Sequence, residues 1–537
     1  MWYHDSVFLL FACQDPNPAV SAAEPGPPIF PGPSDTQFDA ALAEKALAYD
    51  RQFLAINAAP FGLSLDAYPS GTTWIDVWVS AGSGFTRDDF ESQTEQDLYA
   101  LVYQYDEMGD LGMFGGVAAI AEAWRYGLLR DDPGAIEDDI EDARARLTSL
   151  LRSLHAMQAV TGRAGSLVRG LGVPGQPGLA EVDLVPFLDE DGNVQPAEKS
   201  AVWRTDQSGE FPDFIWMDDT SKDQWIGYCM ALGAAWEVAH DDPDIDPAWV
   251  EALEADARDM THALQVPSSE TGLDLTLIDG DGRPTSWHDL NASELEGTAF
   301  DEPFNPFNAW MALAGLRVLA TVGGDDSFYQ EVANERGYAE LAESVGMVTY
   351  FSKLTNYSNV NMAWVSAFNL IHFETDDALL ERYARGLESL WGEGTDAAPA
   401  TFGGAWHAVL YAALTEAEDT VVETALADLA GWPTPPYWNH EIINCDEAEV
   451  AAGVCIAIDG VTEIELYGKW EDGTFVPGDT RGGSLSAASL VPMAVRPPSN
   501  FEWRSDPYRV NEGGGDRLNP GGDFRAAYWS GRWLRRR

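Results

Sequence analysis

The spacing of hydrophobic residues along most of the chain has the period of an α-helix. In one predicted helix, for example, Ala143, Leu147, Leu150, Leu151 and Leu154 fall on a single face. The same kind of pattern predicts helices at about 35–56, 86–107, 112–129, 136–161, 221–240, 247–265, 303–321, 326–346, 359–373, 376–391, 401–415, 418–430 and 522–534. Most of the turns between them are short, which is typical of consecutive helical hairpins.

Strand patterns are few. Residues 72–79 contain several β-branched and aromatic residues and predict a strand, whereas 431–521 is mostly irregular with short strands. Because helices do not alternate regularly with strands, the pattern favours a mainly α ring of hairpins over a β/α fold. Such a ring closes when its last helix packs beside the first, and this predicts that Phe524, Tyr528 and Trp529 are buried.

The first 35 residues differ from the rest of the chain. Residues 1–13 end in an apolar run with a leucine and a small residue before Cys13, which resembles the lipobox of bacterial lipoproteins. Residues 14–35 are rich in proline and predict a tether, and 36–534 is predicted to be a single domain. We therefore expect a protein exported to the cell envelope and lipid-anchored through Cys13, or secreted.

The charge of the chain restricts its partners. The formal net charge is −57 and the isoelectric point is about 4.1. A surface this acidic repels nucleic acid and anionic lipid, so we expect no nucleic-acid partner and no membrane contact other than the lipid anchor. The sequence leaves the oligomeric state open.

Three further cysteines give expectations of their own. Cys445 and Cys455 bracket a short acidic loop, and in an exported protein they would form a disulfide. Cys229 lies within a predicted helix and is expected to be a buried free thiol. The sequence has no P-loop, dinucleotide-binding or HExxH motif, and its Asp-Gly pairs are typical of hairpin turns, so no cofactor or metal is predicted.

Carboxylates and tryptophans concentrate in residues 203–225, which precede and begin an apolar helix. Glycoside hydrolysis needs two carboxyl groups, about 5–5.5 Å apart for retention or about 6.5–9.5 Å apart for inversion. Asp218 and Asp219 lie at a predicted helix N-terminus, where the helix dipole favours an ionised base or nucleophile. Glu210, on a glycine-containing loop, is the candidate general acid. The alternative is that acids here cap the helix, because residues 220–223 (Thr-Ser-Lys-Asp) fit a capping pattern.

The same region supplies candidate ligand contacts. Aromatic rings beside polar groups are typical of sites for sugars and other polar organic ligands. We expect the following side chains to bind a glycan and to share one cavity with the candidate acids: Trp203, Arg204, Trp216, Trp225 and Asp301. The alternative, left open, is that the tryptophans fill the ends of the ring.

Several stretches together resemble the six-hairpin (α/α)6-toroid proteins found among bacterial carbohydrate-active enzymes and their uncharacterised lipoprotein relatives. They are TGRAGSLVRG (161–170), WMDDTSKDQWIG (216–227), DGDGRPTSW (279–287), SNVNMAW (358–364), NFEWRSDP (500–507) and YWSGR (528–532). The resemblance covers most of 110–533 and implies an (α/α)6 toroid with short strands in its loops. It also implies a glycan-active enzyme, a hydrolase ahead of a lyase, or alternatively a non-catalytic surface lipoprotein. No catalytic residue carries over from it.

Overall fold

The computed structural model describes residues 26–58, 62–69, 102–179, 181–195, 202–292, 305–347, 357–392, 399–402, 404–438, 445–457, 459–478, 485–492, 495–496, 507–510 and 516–536. Cys13, Asp301 and the strand predicted at 72–79 lie outside these residues. The signal segment and most of the tether also lie outside them.

The described residues are mainly α-helical, as the sequence pattern predicts. The helices are α1 (Ala40–Gln52), α2 (Gly116–Asp131), α3 (Glu137–Ala159), α4 (Lys222–Ala239), α5 (Pro247–Gln265), α6 (Asn305–Gly323), α7 (Ser327–Gln330), α8 (Tyr338–Ala342), α9 (Tyr357–His372), α10 (Asp377–Trp391), α11 (Pro399–Phe402), α12 (Ala405–Leu414), α13 (Asp419–Gly431), α14 (Glu447–Ala452) and α15 (Gly522–Trp533). None of the described helices combines the length and hydropathy needed to cross a membrane.

Six of these helices form a closed inner ring. The order of contacts around it is α2, α4, α6, α9, α12, α15 and back to α2. The helices α1, α3, α5, α8, α10 and α13 pack outside the ring, so inner and outer helices alternate along the chain. Inner helices such as α4 are apolar on nearly all sides because they are covered on nearly all sides, whereas outer helices such as α10 bury one face. The chain has the predicted (α/α)6 toroid fold.

The inner helices run parallel, with their N-termini at one end of the ring. The Trp310 ring nitrogen in α6 donates to the Ala363 carbonyl in α9, and His407 in α12 contacts Asn361 in α9. All four residues lie in the first half of their helices. The outer helices return the chain to this end each time. Every inner helix therefore presents its positive dipole end to the same region.

Glycines allow α2 and α4 to approach closely. A Cβ added at Gly227 would lie 2.6 Å from the Gly112 carbonyl oxygen, and one at Gly116 would overlap the backbone of Gly227. Two apolar helices in direct backbone contact leave no room between them for water. The start of α4 is thereby fixed against the segment that precedes α2.

Aromatic side chains fill the opposite end of the ring. Trp124 of α2 stacks on Trp533 of α15 with ring centroids 5.3 Å apart. His372 of α9 contacts Glu237 of α4 at 2.8 Å, and Glu237 also accepts a hydrogen bond from the Trp533 ring nitrogen at 3.4 Å. Side chains from four inner helices thus meet at this end.

The strands are short and antiparallel within each sheet. They pair as β1 (Asp66–Pro69) with β2 (Val102–Asp106), β5 (Ile215–Met217) between β3 (Gly170–Gly172) and β4 (Trp203–Thr205), β6 (Thr276–Ile278) with β7 (Pro284–Asp289), β8 (Val454–Ile456) with β9 (Glu463–Glu465), and β10 (Gly468–Glu471) with β11 (Thr474–Pro477). The helix predicted at 86–107 is wrong over its last residues, because these pair with β1 as a strand.

A second, smaller core lies among the strands β8 to β11. It includes Ile464, Leu466, Phe475 and Val491. Cys445 and Cys455 form a disulfide beside it with their Cα atoms 5.1 Å apart, while Cys229 is a buried free cysteine in α4. The disulfide ties the start of α14 to β8.

Candidate functional site

Several inner helices, α4 and α6 among them, carry polar residues at their starts. The first three residues of α4 are Lys222, Asp223 and Gln224, and an apolar run follows them. Because the interior of the ring is apolar, a polar side chain on an inner helix is best solvated at the end of the ring. We define the polar mouth as the N-terminal end of the inner ring around Asp110, Arg169, Lys222, Asp223, Gln224, Asp289 and Asn308.

Two carboxylates of the polar mouth share one amide donor. The Gln224 Nε2 lies 2.9 Å from Asp110 Oδ1 and 3.4 Å from Asp223 Oδ2. Those two oxygens are therefore no more than about 6.3 Å apart, the sum of the two distances. Gln224 is itself held by a 2.9 Å hydrogen bond that the Met113 amide donates to its Oε1. We call Asp110 and Asp223 the carboxylate pair.

The carboxylate pair is partly accessible, in contrast to most acids nearby. The side chain of Asp110 is 15% exposed, and Asp223 has intermediate exposure. Arg169 Nη2 lies 3.7 Å from Asp110, and its Nη1 donates to the carbonyl of Asp219 at 3.2 Å. One guanidinium thus connects the segment before α2 with the segment before α4.

A strained backbone residue lies shortly before each member of the carboxylate pair. Glu107 has φ 65° and Asp219 has φ 66°, the left-handed region that side chains other than glycine rarely adopt. Each precedes a member of the pair by three or four residues. Such a conformation costs on the order of 1–3 kcal/mol, and strain of this kind concentrates at functional sites.

A cluster of three polar side chains lies beside the carboxylate pair. Lys222 Nζ is 3.4 Å from Asp289 Oδ1 and 3.3 Å from Asn308 Oδ1, and Asn308 Nδ2 donates to Asp289 Oδ2 at 3.2 Å. These contacts join the start of α4 to the start of α6 and to the end of β7. Because the three side chains are buried, they fix the wall of the mouth.

An exposed tryptophan lies on the same wall. The Trp287 side chain is 59% exposed, and its backbone pairs with Ser221, the residue before Lys222. Trp287 therefore lies beside the start of α4, where Lys222 contacts Asp289.

Glu210, the candidate general acid, lies away from the carboxylate pair. Its Oε1 is 3.3 Å from His155 Nε2, and His155 Nδ1 is 2.8 Å from Asp256. His155 and Asp256 belong to the outer helices α3 and α5. Burial acts to lower the pKa of His155, but the neighbouring Asp256 and Glu210 carboxylates hold it above its ordinary value. The structure does not bring Glu210 together with Asp218 or Asp219.

Asp218 and Arg204 form a buried pair. Arg204 Nε lies 3.4 Å from Asp218 Oδ2, and the Val202 amide donates to Asp218 Oδ1 at 3.0 Å. Burial and the nearby charge of Asp279 raise the pKa of Asp218 to about 6, although the Val202 amide and Arg204 act in the opposite direction. Neither side chain reaches solvent, so the expectation that both face an open cavity is wrong.

Asp219 fixes a hairpin. The Ser286 amide and hydroxyl both donate to its carboxylate, at 2.7 and 2.9 Å, and its own amide donates to Asp279 at 2.8 Å. These bonds hold β7 beside the start of α4. The predicted helix cap is also wrong, because Ser221 is the N-cap residue but its side chain makes no capping hydrogen bond.

The tryptophans predicted to bind sugar are core residues. Trp216 donates its ring N–H to the Thr205 carbonyl at 2.9 Å, and Trp225 packs against Gly315 of α6. Trp203 lies against Gly172 and Leu179. All three tryptophans are buried, so the prediction that they face a shared cavity is corrected: they fill space beneath the sheet β3–β5–β4 and between helices.

Sequence reasoning missed the residues that the fold brings together. Asp110, Gln224 and Asp289 are not among the sequence-predicted site residues, and the capping pattern predicts a structural role for Asp223. A usable signal was present, since Asp110 and Asp223 each lie just before or within the start of an apolar helix. The described residues contain no group of three or more His, Cys, Asp or Glu side chains arranged to hold a metal ion.

Comparisons with known proteins give low similarities. No protein-family model matches the sequence, and no curated protein matches it. A solved structure of a sugar epimerase from a ruminal bacterium is 9% identical, with 91% of this chain and 98% of that chain covered and a TM-score of 0.34. A single mutant of a thermostable endoglucanase from Alicyclobacillus acidocaldarius is 13% identical, with 91% of this chain and 83% of that chain covered and a TM-score of 0.35.

Proposed function

We propose that the chain is a glycoside hydrolase whose active site is the polar mouth, with the carboxylate pair as its catalytic acids. The observation that carries the proposal is the contact of Gln224 with both Asp110 and Asp223. An upper limit of about 6.3 Å between the two oxygens is compatible with the short carboxyl spacing of a retaining mechanism, and we adopt that mechanism in the proposal.

The surroundings suggest a role for each acid. Asp223 lies in the first turn of α4, where the helix dipole stabilises a carboxylate, and this favours it as the nucleophile. Asp110 then protonates the glycosidic oxygen as the bond between that oxygen and the anomeric carbon breaks. The Asp223 carboxylate bonds to the same carbon, and water activated by Asp110 later displaces it. Gln224 acts as a positioning residue for both.

The test is hydrolysis by the full chain carrying Cys13→Ser, measured as release of new reducing ends from a panel of glycans. Asp110→Asn and Asp223→Asn should each lower kcat by about 100-fold or more while the melting temperature changes little. Asp241→Asn is the matched control, because this exposed aspartate follows α4 at the opposite end of the ring. Equal losses in all three variants would contradict the proposal.

Azide separates the two catalytic roles. With Asp223→Ala, azide should take the place of the missing nucleophile and give a glycosyl azide of inverted configuration. With Asp110→Ala, azide should attack the glycosyl-enzyme and give a product of retained configuration. If the chain binds a glycan but releases no product from any substrate, it is instead a binding lipoprotein, the alternative to an enzyme.

We also propose that the protein works in the cell envelope, anchored by a lipid on Cys13. The Cys445–Cys455 disulfide supports this because disulfides persist in oxidising compartments outside the cytoplasm. Mass spectrometry of the protein from its native host should find a diacylglyceryl group on Cys13. An unprocessed Met1 terminus on soluble protein would refute it.

A further inference from the structure

Among the residues that the structure describes, the two cations of the polar mouth each have a carboxylate partner. Lys222 has Asp289 at 3.4 Å, and Arg169 has Asp110 at 3.7 Å. An enzyme that binds a uronic acid needs a cation that is available to the sugar carboxylate. Each of these two cations therefore has an acid within ion-pair distance.

A third cation, next to the residue Leu518 that pairs with β1, also has carboxylate partners. Arg517 lies 3.2 Å from Asp66 and 3.8 Å from Glu107, the residue that leads to Asp110. Arg163 is exposed, but it lies beside Gly282 at the turn of the β6–β7 hairpin and not at the end of β7 that contacts Lys222. The formal net charge of −57 adds a repulsion that any polyanion must overcome.

Trp287 supplies an exposed apolar ring on which an uncharged sugar can pack. Its ring is exposed, its backbone pairs with Ser221 next to Lys222, and Ser286 holds the strand through two hydrogen bonds to Asp219. A flat apolar ring at a polar site can pack against the C–H face of a pyranose while hydroxyl groups meet the polar wall. This fixes a sugar ring without using charge.

We propose that the polar mouth takes a glycan whose sugar at the carboxylate pair is uncharged and packs on Trp287, and that it rejects uronic acids. The proposal rests on the proposed function, and it names the substrate class of the same site. Trp287 is the specificity-determining residue, and the matched ion pairs exclude the charged sugars.

The first experiment compares neutral oligosaccharides with uronic-acid oligosaccharides of equal length on the full chain carrying Cys13→Ser. Both series are measured at about 0.1 M and about 1 M salt, where the screening length falls from about 10 Å to about 3 Å. Neutral glycans should be hydrolysed at both, and uronates at neither. Uronate hydrolysis equal to the neutral rate at high salt would overturn the proposal, because only long-range repulsion would then exclude them.

Trp287→Ala tests the ring, and Trp470→Ala on β10 is its matched control because that side chain is 61% exposed. Trp287→Ala should raise KM for neutral glycans about tenfold or more with kcat little changed, which is the effect of about 1.4 kcal/mol of lost binding. Trp470→Ala should change neither value. Equal effects of the two variants would overturn the assignment of Trp287.

Asp289→Asn tests the matched charges. It removes the negative charge that lies 3.4 Å from Lys222 and should raise the ratio of uronate to neutral binding about tenfold. An unchanged ratio in a variant with a normal melting curve would overturn the account. Failure of the proposed function looks different, because then no glycan of either series is hydrolysed. Hydrolysis of uronates alone would leave the function standing and remove this inference.

Discussion

Arg525 Nε lies 2.7 Å from Asp50 Oδ1, and both side chains are buried. The same guanidinium contacts Glu122, and the Trp529 ring N–H donates to Asp50. These groups come from α15, α1 and α2, which are the helices that close the ring. One buried cation thus contacts two carboxylates at the point where the end of the chain returns to its beginning, and a second, Arg125, lies 4.0 Å from Asp50.

Replacing Arg525 should destabilise the fold strongly. Arg525→Met would remove the cation that contacts both buried acids and would leave Asp50 with only the longer 4.0 Å contact to Arg125, so we expect a loss of about 3–5 kcal/mol in the free energy of unfolding. Urea unfolding followed by circular dichroism measures it. The control is Arg385→Ala, an exposed arginine paired with Glu381 and Glu343, for which at most about 1 kcal/mol is expected. Similar losses in both variants would contradict the prediction.

Because α2 and α4 approach closely, adding one methyl group at Gly227 should destabilise the fold. In Gly227→Ala the new Cβ would meet the Gly112 carbonyl, and the backbone cannot yield as a flexible side chain would. We expect a loss of about 1–3 kcal/mol and a lower melting temperature. Gly134→Ala, in the turn after α2, should be nearly neutral because its Cβ would meet only the Asp132 side chain. A neutral Gly227→Ala would show that the helices separate easily.

The raised pKa of Asp218 predicts a pH effect of known sign. Its value of about 6 lies above the ordinary 3.8, so the folded protein binds this proton more tightly than the unfolded chain does. The contribution to stability is fully present below about pH 4 and is lost as the pH rises through about 6. The stability difference between wild type and Asp218→Asn should therefore fall by up to about 3 kcal/mol over this interval. Denaturant unfolding at several pH values measures it, and a rising difference would have the wrong sign.

The cysteines predict a thiol count. In denatured, unreduced protein carrying Cys13→Ser, only Cys229 should react, and reduction should expose two more thiols. Closing the short loop between Cys445 and Cys455 is worth about 3 kcal/mol by chain entropy. Cys455→Ser should therefore unfold the small core around β8 at a lower temperature. Three reactive thiols before reduction would disprove the pairing.

The fold could be predicted from the sequence because helix period and hairpin order are local properties. The helix predicted at 247–265 matches α5 at both ends, and that predicted at 376–391 starts one residue before α10. The prediction at 86–107 failed where Val102–Asp106 becomes a strand, since its pairing with β1 depends on residues more than thirty positions earlier. Local pattern cannot detect such a partner.

The candidate site could be predicted only in part, for the same reason. Gln224 meets Asp110 across 114 positions of sequence, and Lys222 meets Asn308 across 86. The sequence predicts candidate site residues in 203–225, and the end of this segment does lie at the polar mouth. It could not show that Trp216 is covered by a sheet or that Trp287, some seventy residues later, lies exposed beside the start of α4.

The stacked pair Trp124 and Trp533 has a consequence for how a long glycan could be handled. Because these rings and the Glu237–His372 contact fill the end of the ring opposite the carboxylate pair, a polymer cannot be threaded through it. A polysaccharide would have to present a chain end or a branch, and both fragments would leave by the route that the substrate used. Such an enzyme would release its substrate after every cut, so partly shortened chains should accumulate early in a digest alongside the short fragment that each cut removes.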